Sequence, residues 1–375
     1  MTQSTYTTAQ TFHWLLLHRL PGMTASLARR LFESDTESPD PAKWLAWPLP
    51  RLQEAGFSSA TITAVFDWQR QGLDSPCARQ ARRDLDWLSA NNAQLLTLDH
   101  PHYPALLQEI SDPPPWLYVR GNCEVLNLPQ LAVVGSRKPS RQGEADAAAF
   151  AGALAQAGFA VTSGMAYGVD AAAHRAVLKA DGITVAVLGT GIDVVYPDSH
   201  DDLAVQIGQR GALVSELPLG SAPLARHFPS RNRIISALSV GVLVVEAAVR
   251  SGSLVTARLA LEQNREVFAI PGSIHNPTSQ GCNELIRKGA TLVREIQDIL
   301  SELQGWSQPV RAAVAQALPE LAAAALILAA VGYEPTAPEA IAEAAAQSLP
   351  EVLATLSELE LLGFVENRAG AYQRC

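Results

Sequence analysis

Between Leu131 and Val293 the chain alternates short strand-type apolar runs with helical stretches, and this alternation restricts the fold more than any other feature. The runs are Leu131–Val134, Phe159–Thr162, Thr184–Leu188, Ala212–Ser215, Val242–Val245 and Glu266–Ile270. Near-continuous apolar strands of this kind are covered on both faces, as in a parallel sheet wound with helices. An alanine-rich helix over 142–157 and a second beginning near Val169 supply covering layers. Each run ends in a loop rich in Gly, Ser or Pro, and ligands of such sheets bind outside the carboxyl ends of the strands. The predicted class is α/β, with one central sheet domain over 131–300.

The flanks read differently. Residues 1–75 carry helical spacing in Trp14, Leu15, Leu17, Leu20, Leu27, Leu31 and Phe32, broken at Pro21-Gly22. A second helix–turn–helix runs from Leu52 through Gly56 to Trp68, so a small helical domain (SAM- or helix-hairpin-helix-like) is expected. Its turns carry little basic charge, which favours packing over a grip on DNA. A connecting segment, 76–130, holds a helix near Arg79–Ala90 and the rigid stretch Asp112-Pro113-Pro114-Pro115. After a linker at 301–312, residues 313–375 show helices starting at Pro338 and Leu349, a stop at Gly363 and a hairpin to Gln373. That order is a winged-helix pattern. Residues 301–375 carry 3 basic and 9 acidic side chains, which opposes duplex DNA and favours a protein contact.

Several classes drop out. The longest uncharged apolar stretch, near Leu321–Val331, is too short to span a bilayer, and the N-terminus shows no signal-peptide pattern. Cys77, Cys123, Cys282 and Cys375 have no C-x-x-C spacing, which argues against zinc or a disulfide framework and suits a reducing cytoplasm. The net charge of −9 opposes polyanions, yet residues 120–298 balance 16 basic against 16 acidic groups. A polyanion could therefore be held only by a local cluster in that section.

The loops supply such clusters. The first strand ends in Gly135-Ser136-Arg137-Lys138; this is not G-x-G-x-x-G, but Ser136, Arg137 and the following helix N-terminus could receive phosphate. The second ends in Ser163-Gly164 and runs through Tyr167 and Gly168 to Asp170, a candidate helix cap. His174 beyond it reads as a packing or hydrogen-bonding histidine, and Gly189-Thr190-Gly191 as either a ligand rim or a turn. The proline-bent segment His227–Ile235 holds Phe228, Arg231, Asn232 and Arg233. An aromatic face can stack a base and arginine forks can clasp phosphate; equally, the arginines could be bound to structural carboxylates. Arg250 precedes Ser251, Gly252 and Ser253, a second anion-receptive helix start. Glu246, a lone carboxylate at a strand end, is the one carboxylate to suspect of catalysis, but without a partner or metal ligands its expected job is to hold Arg231 or Arg250. No acid/base pair, metal-ligand cluster, Walker or G-x-S-x-G motif stands out.

These motifs, in this order, resemble the DNA-processing protein A (DprA/Smf) family. The resemblance runs nearly unbroken from Leu131 to Val293 and includes His102-Tyr103-Pro104, Asp112-Pro113-Pro114 and the tail. It implies an extended Rossmann-like domain that binds single-stranded DNA, usually as a homodimer, and helps load RecA recombinase during natural transformation. It implies neither catalysis nor a cofactor. Arg137 matches the arginine of the family's G-S-R loop; Phe228, Arg231, Asn232 and Arg233 match its F-P-x-R-N-R segment, and Ser251–Ser253 its S-G-S loop. Tyr167 stands where members often carry Lys or Arg, which removes a phosphate charge at that corner. The competing reading is a phosphoribohydrolase-like enzyme, whose P-G-G-x-G-T-x-x-E acid is missing from Pro271-Gly272-Ser273-Ile274-His275. A winged-helix transcription factor is a third.

Overall fold

The six apolar runs form the parallel centre of a nine-stranded sheet in the computed structural model of the chain. Residues 7–34, 39–303, 306, 327, 330–331, 335–345, 347–361, 365–368 and 370–374 are described. The strands are β1 (Ala93–Thr97), β2 (Trp116–Gly121), β3 (Gln130–Val134), β4 (Ala160–Ser163), β5 (Thr184–Val187), β6 (Ala212–Ser215), β7 (Gly241–Val244), β8 (Glu266–Ala269) and β9 (Thr291–Leu292). Their order is β1-β2-β6-β5-β4-β3-β7-β8-β9. From β3 the chain winds outward one way through β6, then crosses back to β7 beside β3. The direction of winding reverses there, and a crevice opens between the loops that leave β3 and β7. At one edge β2 pairs antiparallel with β6, and β1 with β2. This hairpin lies in the expected connecting segment and was not anticipated.

Side-chain alternation builds the two covering layers. Leu131 and Val133 of β3 meet α8 (Arg141–Gln156) and α9 (Val169–Lys179), through Ala147, Ala151, Leu154, Ala173 and Val177. Ala132 and Val134 point to the opposite face, against Ile234, Ile235 and Leu238 at the end of α11 (His227–Ala237) and Ala257 and Ala260 of α12 (Ser253–Glu262). Alanine on the covering helices lets their backbones approach the sheet closely; α7 (Ala105–Gln108), α10 (Asp201–Arg210), α13 (Gln280–Arg287) and α14 (Ile296–Glu302) are further helices of this unit.

The N-terminal helices α1 (Thr8–Arg19), α2 (Ala25–Ser34), α3 (Pro41–Leu45), α4 (Leu49–Glu54), α5 (Ser59–Gln71) and α6 (Pro76–Ala90) bury an aromatic nucleus. Trp14 stacks on Phe32 at 5.0 Å and meets Trp44 edge-on at 5.5 Å. This core continues into Trp116 and Tyr118 of β2 and Leu213 of β6, and residues 1–307 form one compact unit. The second unit, 308–375, contains α15 (Pro338–Ala345), α16 (Leu349–Leu361) and the antiparallel pair β10 (Val365–Arg368) and β11 (Ala371–Arg374). Ile341, Val352, Leu356, Val365 and Tyr372 make its core. Gly363 and most of the expected linker lie outside the described residues. Among the described residues no helix is long and apolar enough to cross a membrane.

Two histidines, the buried His174 and the partly buried His18, are held in the neutral form. His18 Nδ1 lies 2.7 Å from the Tyr118 hydroxyl, and burial pushes its pKa down to about 3. His174 Nδ1 lies 2.6 Å from Thr184 Oγ1, and burial lowers it likewise to about 3. The Thr184 hydroxyl donates to the Val161 carbonyl, so Nδ1 of His174 is the donor in that pair. The expected structural role of His174 is the observed one. An unfolded histidine titrates near 6.5. These groups therefore contribute stability above about pH 6.5 that is lost as pH falls toward 3, at about 1.4 kcal/mol per pKa unit. His174→Gln, which keeps a donor for Thr184, should make the acid limb of a urea-midpoint titration shallower. An unchanged limb would show that His174 does not carry this linkage.

Candidate nucleic-acid interface

The crevice beside β3 and β7 is an open cleft of about 610 Å³. Its walls are Gly135 and Arg137 after β3, Ala166 and Asp170 after β4, one face of α11, and the start of α12 with Ser251, Gly252, Ser253 and Thr256. Tyr196 and Pro223 complete the rim.

The segment at His227 is the first turn of a helix, not a free turn. Pro229 is the third helical residue, where a missing N–H costs no intrahelical bond. Phe228, Arg231, Asn232 and Ile235 then fall at i, i+3, i+4 and i+7, and all line the cleft. Arg233 falls on the other side. It donates to Glu216 Oε2 at 2.6 Å and to Asp112 Oδ2 at 3.1 Å, and it does not line the cleft. Arg233, expected to hold phosphate, has its guanidinium paired with two carboxylates here.

Arg231 combines both readings of the sequence. It lines the cleft, yet it is 5% exposed and donates to the carbonyls of Gly164, at 2.8 Å, and Val187. Burial lowers its pKa to about 10, leaving it charged at neutral pH, and the Asp170 carboxylate opposes that fall. Asp170 is itself raised, chiefly by burial, while it accepts from the backbone N–H groups of Gly164 and Ala166 at 3.1 and 3.2 Å. A Cβ on Gly164 would sit 2.5 Å from the Arg231 guanidinium, so that glycine makes room for the arginine. Ser163, also expected at the site, is fully buried, and its hydroxyl donates to the Val133 carbonyl at 2.6 Å.

Two helix starts were expected to receive anions, and they differ. At α8 the position is taken by Glu246, which accepts from Ser140 N at 3.0 Å and Ser140 Oγ at 2.5 Å. Ser140 Oγ in turn accepts from Gly143 N at 3.0 Å as the helix cap. Glu246 therefore anchors the Arg137 loop rather than holding Arg231 or Arg250, and this also occupies the carboxylate suspected of catalysis. The α12 start has no acidic residue in its first turn. Ser251 and Ser253 share a hydroxyl contact of 2.6 Å there, and Asn232 Nδ2 donates to the Gly252 carbonyl at 3.4 Å.

The Phe228 ring rests on Gly189, where a Cβ would come within 2.8 Å of it. This gives the Gly189-Thr190-Gly191 loop a definite role. Tyr196, which sequence reasoning missed, lies 5.6 Å from the Phe228 ring, and the Arg137 guanidinium sits 5.7 Å from that ring's centre. The signal for Tyr196 was an aromatic residue just beyond a strand-end glycine loop. Ser136 Oγ accepts from Lys138 N at 3.1 Å and stays in the loop. Tyr167 is exposed beside the cleft rather than in its wall; its ring meets His200 edge-on at 5.2 Å.

Charge pairing sharpens the picture. Away from the cleft, Arg210, Arg258, Arg265, Arg287, Lys288 and Arg294 all have carboxylate partners. Among the described residues Arg137 of the cleft wall and Lys138, Arg226 and Arg250 in the adjoining loops form no ion pair, and neither do Arg120, Arg141, Arg175 and Lys179 elsewhere in the sheet domain. The neutral balance of the sheet domain thus leaves Arg137 in the cleft wall without a carboxylate partner.

Residues 94–304 match the family described as DNA recombination-mediator protein A, and residues 311–371 match the DprA winged helix domain. The protein Smf of Escherichia coli is 44% identical over 336 residues, covering 86% of each chain. DNA processing protein DprA of Streptococcus pneumoniae is 47% identical over 202 residues, or 54% of this chain and 71% of that one. The X-ray structure of the Streptococcus pneumoniae protein superposes with a TM-score of 0.66 at 36% identity, covering 78% of this chain and 97% of that one. DNA processing protein A of Helicobacter pylori, solved to describe its single-stranded DNA binding mode, superposes with a TM-score of 0.52 at 31% identity over 56% of this chain and 96% of that one. Matched by the family's model over 94–304 and by its winged-helix model over 311–371, the chain belongs to the DNA recombination-mediator protein A (DprA/Smf) family.

Proposed function

We propose that the chain binds single-stranded DNA in this cleft and acts, as a homodimer, to deliver that DNA to a RecA recombinase during DNA uptake, without catalysing a reaction itself. The carrying observation is the Phe228–Tyr196 aromatic pair set beside the Arg137 guanidinium and the start of α12, which has no acidic residue in its first turn. Aromatic faces accept bases of any sequence, and Arg137 with the α12 backbone would hold phosphates. A base in a duplex must first leave its stack to reach Phe228, so single strands are preferred. Ser136, Gly164, Tyr167, Asn232, Arg250, Ser251, Gly252 and Ser253 are assigned to the same contact surface. Arg231 serves it from beneath.

Binding of an oligo-dT across a salt series tests this. Arg137→Ala should weaken binding and reduce the slope of log K against log salt by about 0.7, the share of one phosphate on a single strand. Phe228→Ala should cost about 1–3 kcal/mol and leave the slope unchanged, because it removes stacking rather than charge. Wild-type affinity and slope in both variants, or equal affinity for duplex, would overturn the reading.

A further inference from the structure

The face of α11 opposite the cleft is tied to the N-terminal helices through a chain of alternating charges. Arg29 of α2 donates to Asp112 Oδ1 and, at 3.3 Å, to the Pro113 carbonyl. The other oxygen of Asp112 accepts from Arg233 Nε at 3.1 Å, and Arg233 donates its remaining nitrogens to Glu216 at 2.6 and 3.2 Å. The side chains of Arg29, Arg233 and Glu216 are 20%, 12% and 17% exposed, and Asp112 is half exposed. The three prolines after Asp112 restrict φ and make that carboxylate a rigid post. A second tie comes from α1: Arg19, paired with the buried Asp84, donates to the Leu219 carbonyl at 2.9 Å in the segment leading into α11.

We infer that the N-terminal helical layer is a brace for the DNA-contacting helix, with Asp112 and Arg29 as positioning residues for Phe228, Arg231 and Asn232. The inference rests on the proposed single-strand binding. It gives a task to a helical layer and a proline-rich segment that the cleft itself does not use. Neither Asp112 nor Arg29 lines the cleft.

The sign of the effect separates positioning from bulk charge. Removing the Asp112 carboxylate makes the protein less negative, which by charge alone strengthens binding of a polyanion. Positioning predicts the reverse. Asp112→Asn and Arg29→Gln should each weaken oligo-dT binding about fivefold, the lower end for coupling between separate sites. The salt slope should stay at the wild-type value, since no phosphate contact is lost. The double variant should be no weaker than either single one, because both cut the same chain of contacts. Amide hydrogen exchange in α11 of the DNA-free protein should speed up in Arg29→Gln, a readout that needs no ligand. Unchanged or tighter DNA binding by Asp112→Asn, multiplying effects in the double variant, or unchanged α11 exchange would each overturn the brace. Arg137→Ala serves as the control: if it too leaves binding unchanged, the cleft assignment has failed as well.

Discussion

Arg231→Ala is expected to lower stability by about 3 kcal/mol or more and to abolish most single-strand binding, the largest loss foreseen for any one cleft residue. The stability cost follows from what the guanidinium satisfies. Its removal leaves the Gly164 and Val187 carbonyls without that donor in a water-poor site, and leaves the buried Asp170 carboxylate without its nearest cation. Gly164 then faces a void of guanidinium size. Arg231→Lys should recover little, because one ammonium cannot reproduce a planar fork that also reaches Asn232 Oδ1, at 3.3 Å. Urea unfolding together with oligo-dT titration checks both parts. A variant as stable as wild type with unchanged affinity would refute the assignment of this residue.

What the sequence disclosed follows from which interactions are local. The strand runs and the α8 and α9 helices were legible because their patterns reflect burial by both covering layers, as with Leu131 and Val133 against Ala132 and Val134. The β1–β2 hairpin was not, since its strands hold the polar residues Gln94, Thr97 and Arg120 and sit beside a proline run. The segment at Phe228 announced its chemistry but not its conformation: Pro229 suggests a bend, while a proline in the first turn is compatible with a helix. Helical spacing would have put Arg233 away from Arg231, but its partners Glu216 and Asp112 lie 17 and 121 positions earlier in the chain. The Glu246–Ser140 contact spans 106 positions. No local pattern reveals such pairings, and these long-range ties decide which charges remain free to meet a ligand.

Glu246 shows this most clearly, and its replacement gives the second large expected effect. Its carboxylate satisfies both Ser140 N and Ser140 Oγ at the start of α8, where the helix dipole also favours a negative charge. Glu246→Ala should cost about 2–3 kcal/mol, because charge-assisted hydrogen bonds in a buried site are lost. It should also weaken oligo-dT binding although it removes a negative charge, because the loop that carries Arg137 loses its anchor. Gly143 provides an independent route to the same failure. A Cβ there would lie 2.4 Å from the Glu246 carboxyl carbon, so Gly143→Ala should displace the carboxylate and cost about 1–3 kcal/mol. The two substitutions are not independent. Once Glu246 is alanine, the space at Gly143 is empty and the added methyl costs little. A double-mutant cycle by urea unfolding should therefore show a coupling of about 1 kcal/mol or more, with the double variant near Glu246→Ala alone. Additive losses would mean that the Gly143 methyl does not act through the Glu246 carboxylate.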